Sequence, residues 1–289
     1  MSEVQYKKVL VDSVNIFYRE AGSPSLPTLL LLHGHGSASH VFRGLIPLLS
    51  SSFHLIAPDY PGFGQSDMPS RQDYKYTFVN IANTIDKFTE KIGLAEKKFA
   101  IYVFDYGAPV GFMIAVKHPE RITGIVSQSG NAYEDGLSEN LAVMKAYWAA
   151  PEDQSLREKL REAMFDPKEI KQGYINGAQS PESVNPDNAI LDTYYNLGRP
   201  GALEIQLDLL LDYGENVKVY PQWQEYLRKH QPKLVAIWGK HDPFFIPPGA
   251  EAFKRDLPDA YVEIADAGHY VNDQIPERVA AVAKKLLSK

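Results

Sequence analysis

The chain contains no cysteine. That absence excludes disulfides, thiolate metal sites and a cysteine nucleophile together, and nothing in the composition demands an oxidising compartment. There is no long basic run either, and the formal net charge is -6, so nucleic acid is a poor partner. No apolar stretch is long enough to span a bilayer, and the segment MSEVQYKKVLVDS has no signal-peptide core. The expectation is a cytoplasmic protein acting on a small molecule, away from membranes, with monomer and homodimer both open. Two motifs are missing as well. No G-x-S-x-G occurs, which leaves serine chemistry without a seat. Neither Gly34-His35-Gly36 nor Gly62-Phe63-Gly64 continues as G-x-G-x-x-G, which removes a dinucleotide reading.

What is present suffices for a large interior: 289 residues, 44% of them hydrophobic. Two β-rich runs at 8–11 and 15–18 flank Asp12-Ser13 and predict a hairpin, followed by an unbroken apolar strand at 28–32. Short apolar runs then recur at 53–57, 99–103, 122–126, 234–238 and 261–264, with helical patterns between most of them. This predicts an α/β fold with a mostly parallel sheet covered on both faces. Phe78, Ile81, Ile85, Phe88 and Ile92 form the clearest helical stripe, and Val279, Val282 and Leu286 form another behind Pro276. Between the runs at 122–126 and 234–238 lie roughly a hundred residues without a convincing strand, far more than an ordinary connection. Helical patterns at 138–148 and 202–213 mark them as a helical cap. The expected organisation is a core from 1–130, a cap from 131–216, and the rest of the core from 217–289.

The stretch VFDYGAPVG places Asp105 where a buried strand turns into a helix. Aspartate is a favoured N-cap, and alone it would suggest nothing more. Gly107, Ala108 and Gly111, however, leave almost no side-chain bulk after it, as a tight turn packed close to a sheet requires. Three other strand ends carry polar loops of similar interest: Leu32-His33-Gly34-His35-Gly36, Trp238-Gly239-Lys240-His241-Asp242-Pro243 and Ala267-Gly268-His269-Tyr270.

The pattern resembles the nucleophile elbow of α/β-hydrolases with aspartate in place of serine, and the sequence is similar to the branch containing epoxide hydrolases and haloalkane dehalogenases. The resemblance implies an α/β-hydrolase fold with an inserted helical cap. It implies Asp105 as nucleophile, Asp242 as acid and His269 as base, in the chain order of that fold. It further implies an oxyanion hole from the N–H groups of His35 and Tyr106. The segment Ala57-Pro58-Asp59-Tyr60-Pro61-Gly62-Phe63-Gly64-Gln65-Ser66-Asp67 resembles the family's D-x-x-G-x-G-x-S loop, with Asp59 anchoring backbone turns. No metal or organic cofactor is implied, since His33 and His35 have no evident third ligand.

An ionised carboxylate attacks sp³ carbon without help from a base, giving an alkyl ester that histidine-activated water then cleaves. For an epoxide the departing oxygen needs a proton, and Leu211-Asp212-Tyr213-Gly214-Glu215-Asn216 resembles the cap segment that carries one donor tyrosine, which implies Tyr213. The usual position of a second donor falls near Met144. Tyr147, about one helical turn away, either substitutes for it or packs in the cap, the ordinary role of such an aromatic. The dehalogenase pattern is broken at Tyr106 and His35, and the epoxide hydrolase pattern at Gly36. An epoxide hydrolase acting on an apolar substrate is the preferred expectation, with haloalkane dehalogenase as the alternative and Tyr147, Trp148 and Phe244 expected at the substrate. A catalytically vestigial small-molecule receptor is the rival outside catalysis, and the presence of all three catalytic groups argues against it.

Overall fold

The computed structural model describes residues 3–287, apart from the side chain of Leu286, so that member of the last predicted stripe lies outside the described residues. Eight strands form one sheet: β1 (Gln5–Val11), β2 (Val14–Ala21), β3 (Thr28–Leu32), β4 (His54–Pro58), β5 (Phe99–Phe104), β6 (Ile122–Gln128), β7 (Lys233–Gly239) and β8 (Tyr261–Ala265). Their order is β1-β2-β4-β3-β5-β6-β7-β8. The β1–β2 hairpin, turning at Asp12 with φ 50°, is antiparallel, as is the β2–β4 pair; the remaining pairs are parallel. β3, β4 and β5 are buried throughout. Covered on both faces, they have no reason to alternate polar with apolar residues, which explains their unbroken runs.

Parallel pairing brings the strand ends to one edge. Leu32 pairs with Val103, Phe104 with Gln128, and Gly239 with Ala265. The loops after β3, β5, β6, β7 and β8 therefore emerge together, the place where open α/β sheets hold their ligands.

Helices cover both faces. In α1 (Phe78–Lys91), Thr77 caps the first turn by accepting from the Asn80 N–H at 3.2 Å, and Phe78, Ile81, Ile85 and Phe88 are buried. The next helix, α2 (Gly107–Lys117), starts two residues after Asp105. A Cβ at Gly107 would lie 2.2 Å from the Leu32 carbonyl oxygen, and one at Gly111 would lie 2.5 Å from Val103 Cγ1. The small residues after Asp105 are thus required by close approach of helix to sheet.

Between β6 and β7 the described residues form no strand. The segment contains α3 (Ala142–Ala149), α4 (Gln154–Phe165), α5 (Pro167–Ile175), shorter turns, and a π-helical stretch over Leu191–Asn196. It leads into α6 (Ala202–His230), a helix of 29 residues. The pattern read over 202–213 is only its beginning, and the expected division between 216 and 217 falls inside it. Gly214 and Pro221 interrupt the sequence pattern, yet tertiary packing holds the helix through both. Tyr213, Tyr220, Trp223 and Leu227 are all buried along it, and Gly214 lies flush against Trp148, where a Cβ would come within 2.8 Å of the indole. Two further helices, α7 (Pro247–Asp256) and α8 (Pro276–Leu287), complete the layers. Among the described residues no helix is long and apolar enough to cross a membrane.

Candidate active site

Asp105 is not a helix cap. Its backbone has φ 53°, a left-handed conformation costly for a side chain with a Cβ. Its carboxylate accepts from two backbone N–H groups, that of Tyr106 at 2.7 Å and that of His35 at 2.5 Å, both to Oδ1. The His35 loop gets this close because residue 34 is glycine: a Cβ there would sit 2.8 Å from the Cβ of Asp105. Asp105 is only 5% exposed. Burial pushes its carboxyl above the ordinary range, outweighing the opposing pull of His269 and the two N–H groups.

Oδ2 of the same carboxylate is 3.8 Å from Nε2 of His269. On its far side His269 Nδ1 meets Oδ2 of Asp242 at 2.8 Å. Asp242 is held in turn by four hydrogen bonds in all. Its Oδ1 accepts from the N–H groups of Phe244 and Phe245 at 2.9 and 3.0 Å, and its Oδ2 also accepts from the Ser129 hydroxyl at 2.7 Å. Burial opposes ionisation of Asp242, but His269 and these donors hold its carboxyl below the usual range. Burial likewise opposes protonation of His269, but the two carboxylates raise it above the ordinary imidazole value of 6.5. The imidazole is enclosed by Phe104, Phe244, Phe245 and Tyr270. The loops bearing Asp242 and His269 are tied directly, with the His241 N–H donating to Ala267 O at 2.9 Å.

A cavity of about 60 Å³ opens over these groups, lined among others by Asp105, His269, Tyr213, Met144, Leu210 and Phe244. Tyr213 Oη lies 3.2 Å from Tyr220 Oη, which also accepts from Asn131 Nδ2 at 3.2 Å. Burial, then the neighbouring Tyr220, pushes the Tyr213 phenol well above its usual range, so it stays protonated at neutral pH. The ring is stacked between Tyr106 and Trp148, at centroid distances of 5.9 and 6.0 Å. His35 and Tyr106 also line the cavity. His35 Nε2 and Tyr106 Oη are buried and have no hydrogen-bond partner among the described residues.

Of the residues expected at the substrate, Phe244 lines this cavity and two do not. Tyr147 turns away, its hydroxyl accepting from Arg157 Nη1 at 3.0 Å beside the Arg157–Glu204 ion pair. Met144 occupies the lining instead. Trp148 backs Tyr213 from outside, with its indole N–H donating to Leu210 O at 2.8 Å, and borders a separate surface groove. His33 is fully buried against Tyr60 and accepts from the Tyr60 N–H through Nε2 at 3.2 Å. Burial pushes its pKa down to about 4. Asp59 accepts from the N–H groups of Ser39 and Gln65, both at 2.8 Å, which fixes its loop.

Several residues at the site escaped the sequence reading. Ser129 follows β6, so the strand-end rule that found Asp242 and His269 could have found it; its φ of 49° also marks it. Asn196 and Gln206 carry no local signal. Asn196 Nδ2 donates to Gly36 O and Ser37 O at 2.6 and 3.0 Å while its Oδ1 accepts from the Gly64 N–H at 2.8 Å. Gln206 Oε1 accepts from the Gly36 N–H at 3.3 Å. The helical segment thus straps the loop that presents the His35 N–H.

Residues 27–275 match the family described as alpha/beta hydrolase fold. The chain belongs to the alpha/beta-hydrolase family. Within that family it is 40% identical, over 98% of its length and 96% of the other chain, to an uncharacterized hydrolase of Saccharomyces cerevisiae. It is 27% identical to haloalkane dehalogenase 2 of Mycobacterium bovis, covering 88% of this chain and 86% of that one. Among solved structures, the epoxide hydrolase CorEH superposes with a TM-score of 0.77 at 17% identity, covering 98% of both chains. The alpha/beta-hydrolase fold of these relatives agrees with the sheet order and the strand-end loops described above.

Proposed function

We propose that this alpha/beta-hydrolase opens apolar epoxides to diols through a covalent ester on Asp105, beneath a helical cap formed by the segment between β6 and β7. The observation that carries the reading is the division of labour within one carboxylate. Oδ1 is held by the His35 and Tyr106 N–H groups, and Oδ2 is left without them, 3.8 Å from His269 Nε2, in a residue that lines the cavity. Oδ2 attacks an epoxide carbon, the ring C–O bond breaks, and Tyr213 Oη delivers a proton to the departing oxygen, with Tyr220 behind it. His269, oriented through Nδ1 by Asp242, then takes a proton from water as that water adds to Cγ of Asp105. The charge that forms on Oδ1 meets the two N–H groups already aimed at it. Collapse breaks the ester, the diol oxygen takes the proton from His269, Asp105 keeps the oxygen supplied by water, and that water's remaining proton restores the Tyr213 phenol.

Haloalkane dehalogenation stands as the second reading because of one observation: Tyr106 Oη and His35 Nε2 are buried beside the cavity without a hydrogen-bond partner among the described residues. The test of the ester is a single turnover in heavy-oxygen water. Label in Asp105 and none in the product supports it; label directly in the product sinks it.

A further inference from the structure

The cavity over Asp105 holds about 60 Å³, too little for most whole ligands, whose sites run to roughly 300–1,000 Å³. It has room for a reacting group and not for large substituents on both sides of it. A second cavity of about 330 Å³ adjoins it, and His35, Met164, Phe244 and Tyr270 line both. The larger groove of about 1080 Å³ bordered by Trp148 shares no lining residue with the Asp105 cavity among the described residues, and the Trp148–Gly214 contact and the Trp148–Leu210 hydrogen bond close that side. Of these two roomier spaces, only the second shares a wall with the catalytic space among the described residues, and that wall contains Met164, an unbranched side chain that shifts at little cost.

The adjoining cavity also has a consistent chemistry. Its apolar lining comes from Met164, Ile170, Leu197 and Phe244, with the rings of His35 and Tyr270 beside Met164 and Phe244 in the common wall. At its rim stand the exposed polar groups of Asn140, Glu169, Gln172 and Asn176. Among the described residues no lysine or arginine lines it, whereas the closed-off groove carries Arg71, Lys75, Lys145 and Lys218. Its two acidic residues are Glu169 and Asp192, the latter buried against Tyr174 and His40.

We propose that this second cavity is the tail subsite of the enzyme, and that the substrate class is a medium-chain epoxide with the ring at one end and an uncharged tail. The proposal rests on the epoxide reading for the ring and on the two cavities for the tail. The reacting end fills the small space beside Asp105, the chain passes between Met164 and Phe244, and the far end reaches the polar rim. A tail ending in carboxylate meets Glu169 at the rim with no lysine or arginine in the lining to offset it, so it is disfavoured by like charge.

The test uses 1,2-epoxybutane, 1,2-epoxyoctane and 7,8-epoxyoctanoate as substrates, and the matching diols as calorimetric binding probes that need no turnover. The expected result is kcat/KM at least about tenfold higher for epoxyoctane than for either other substrate, with octanediol binding tighter than butanediol by a similar factor. Met164→Trp should cut the octane-to-butane ratio in both measurements at least about fivefold. Ala163→Phe, at an exposed position on the same cavity, should do likewise without a core substitution. Glu169→Lys should narrow the gap between epoxyoctanoate and epoxyoctane. Turnover or binding indifferent to chain length and to both space-filling variants overturns the subsite while leaving the Asp105 chemistry standing. Length-dependent diol binding that both variants weaken, without turnover of any epoxide, supports the subsite and overturns the epoxide reading.

Discussion

His269 stands between two carboxylates at different edges of its ring, Asp242 at 2.8 Å from Nδ1 and Asp105 at 3.8 Å from Nε2. The first distance is a hydrogen bond and the second is not. The imidazole is thus anchored by Asp242 and left with Nε2 facing the space beside the Asp105 carboxylate, as the proposed base acting on water requires.

His269→Gln should leave ester formation in place and block ester cleavage, because attack by an ionised Asp105 needs no proton acceptor. Intact-protein mass spectrometry after mixing with epoxide should show the substrate-plus-enzyme adduct, and steady-state kcat should fall by about a hundredfold to ten-thousandfold. Rapid multiple turnover without an accumulating adduct contradicts the assigned role.

Tyr213→Phe removes the cavity hydroxyl but keeps the stacked ring between Tyr106 and Trp148. Epoxide opening should drop by about a hundredfold or more, the usual size of a lost proton donor. Bromide release from a bromoalkane of equal length, which needs no proton, should change far less. Equal losses in both reactions would assign Tyr213 to shape alone.

The raised pKa of His269 has Asp242 as its larger favourable cause and Asp105 as a further one. Removing the charge at 105 removes that contribution, so Asp105→Asn should lower the His269 pKa, read by NMR titration of the imidazole. The proposed ester on Asp105 removes the same charge. The acid limb of kcat, where ester cleavage is limiting, should therefore lie below the pKa titrated in the free enzyme. In the sign of its stability contribution Asp105 is opposite to a paired carboxylate. Its folded pKa is raised, so its charge disfavours folding above that pKa, and the cost fades as pH falls through the folded pKa toward the unfolded one. Asp105→Asn should accordingly raise Tm at pH 8 and lose that advantage in acid.

Asn196→Ala removes three hydrogen bonds that fasten the Gly36–Ser37 and Gly64 loops to the helical segment. Leaving buried backbone groups unpaired costs about 1–3 kcal/mol each, so a lower Tm is expected. The informative readout is kinetic. A loosened His35 N–H weakens stabilisation of charge on Oδ1, which builds up during ester cleavage. The variant should accumulate ester at burst, with kcat reduced on the order of tenfold to a hundredfold, while the rate of ester formation changes little. Parallel losses in both steps would mean that Asn196 only maintains the fold.

Sequence alone determined the parallel sheet, the helices beside it, and four of the loops that meet at its edge. Those features are local: buried strands need continuous apolar runs, the tight turn after Asp105 needs small residues, and parallel pairing carries the strand ends to a common place. Tertiary structure decided which neighbours face the cavity. From Met144, Tyr147 and Trp148 are displaced to either side by about 60° and 40° around the helix, and the availability of Arg157 and Leu210 O as partners draws both away. It also placed Ser129 on Asp242, carried α6 through Gly214 and Pro221, and brought Asn196 and Gln206 onto the Gly36 loop. Each of those is a contact between residues far apart along the chain, where the energy lies in packing and hydrogen bonding across elements and leaves no periodicity in the sequence to read.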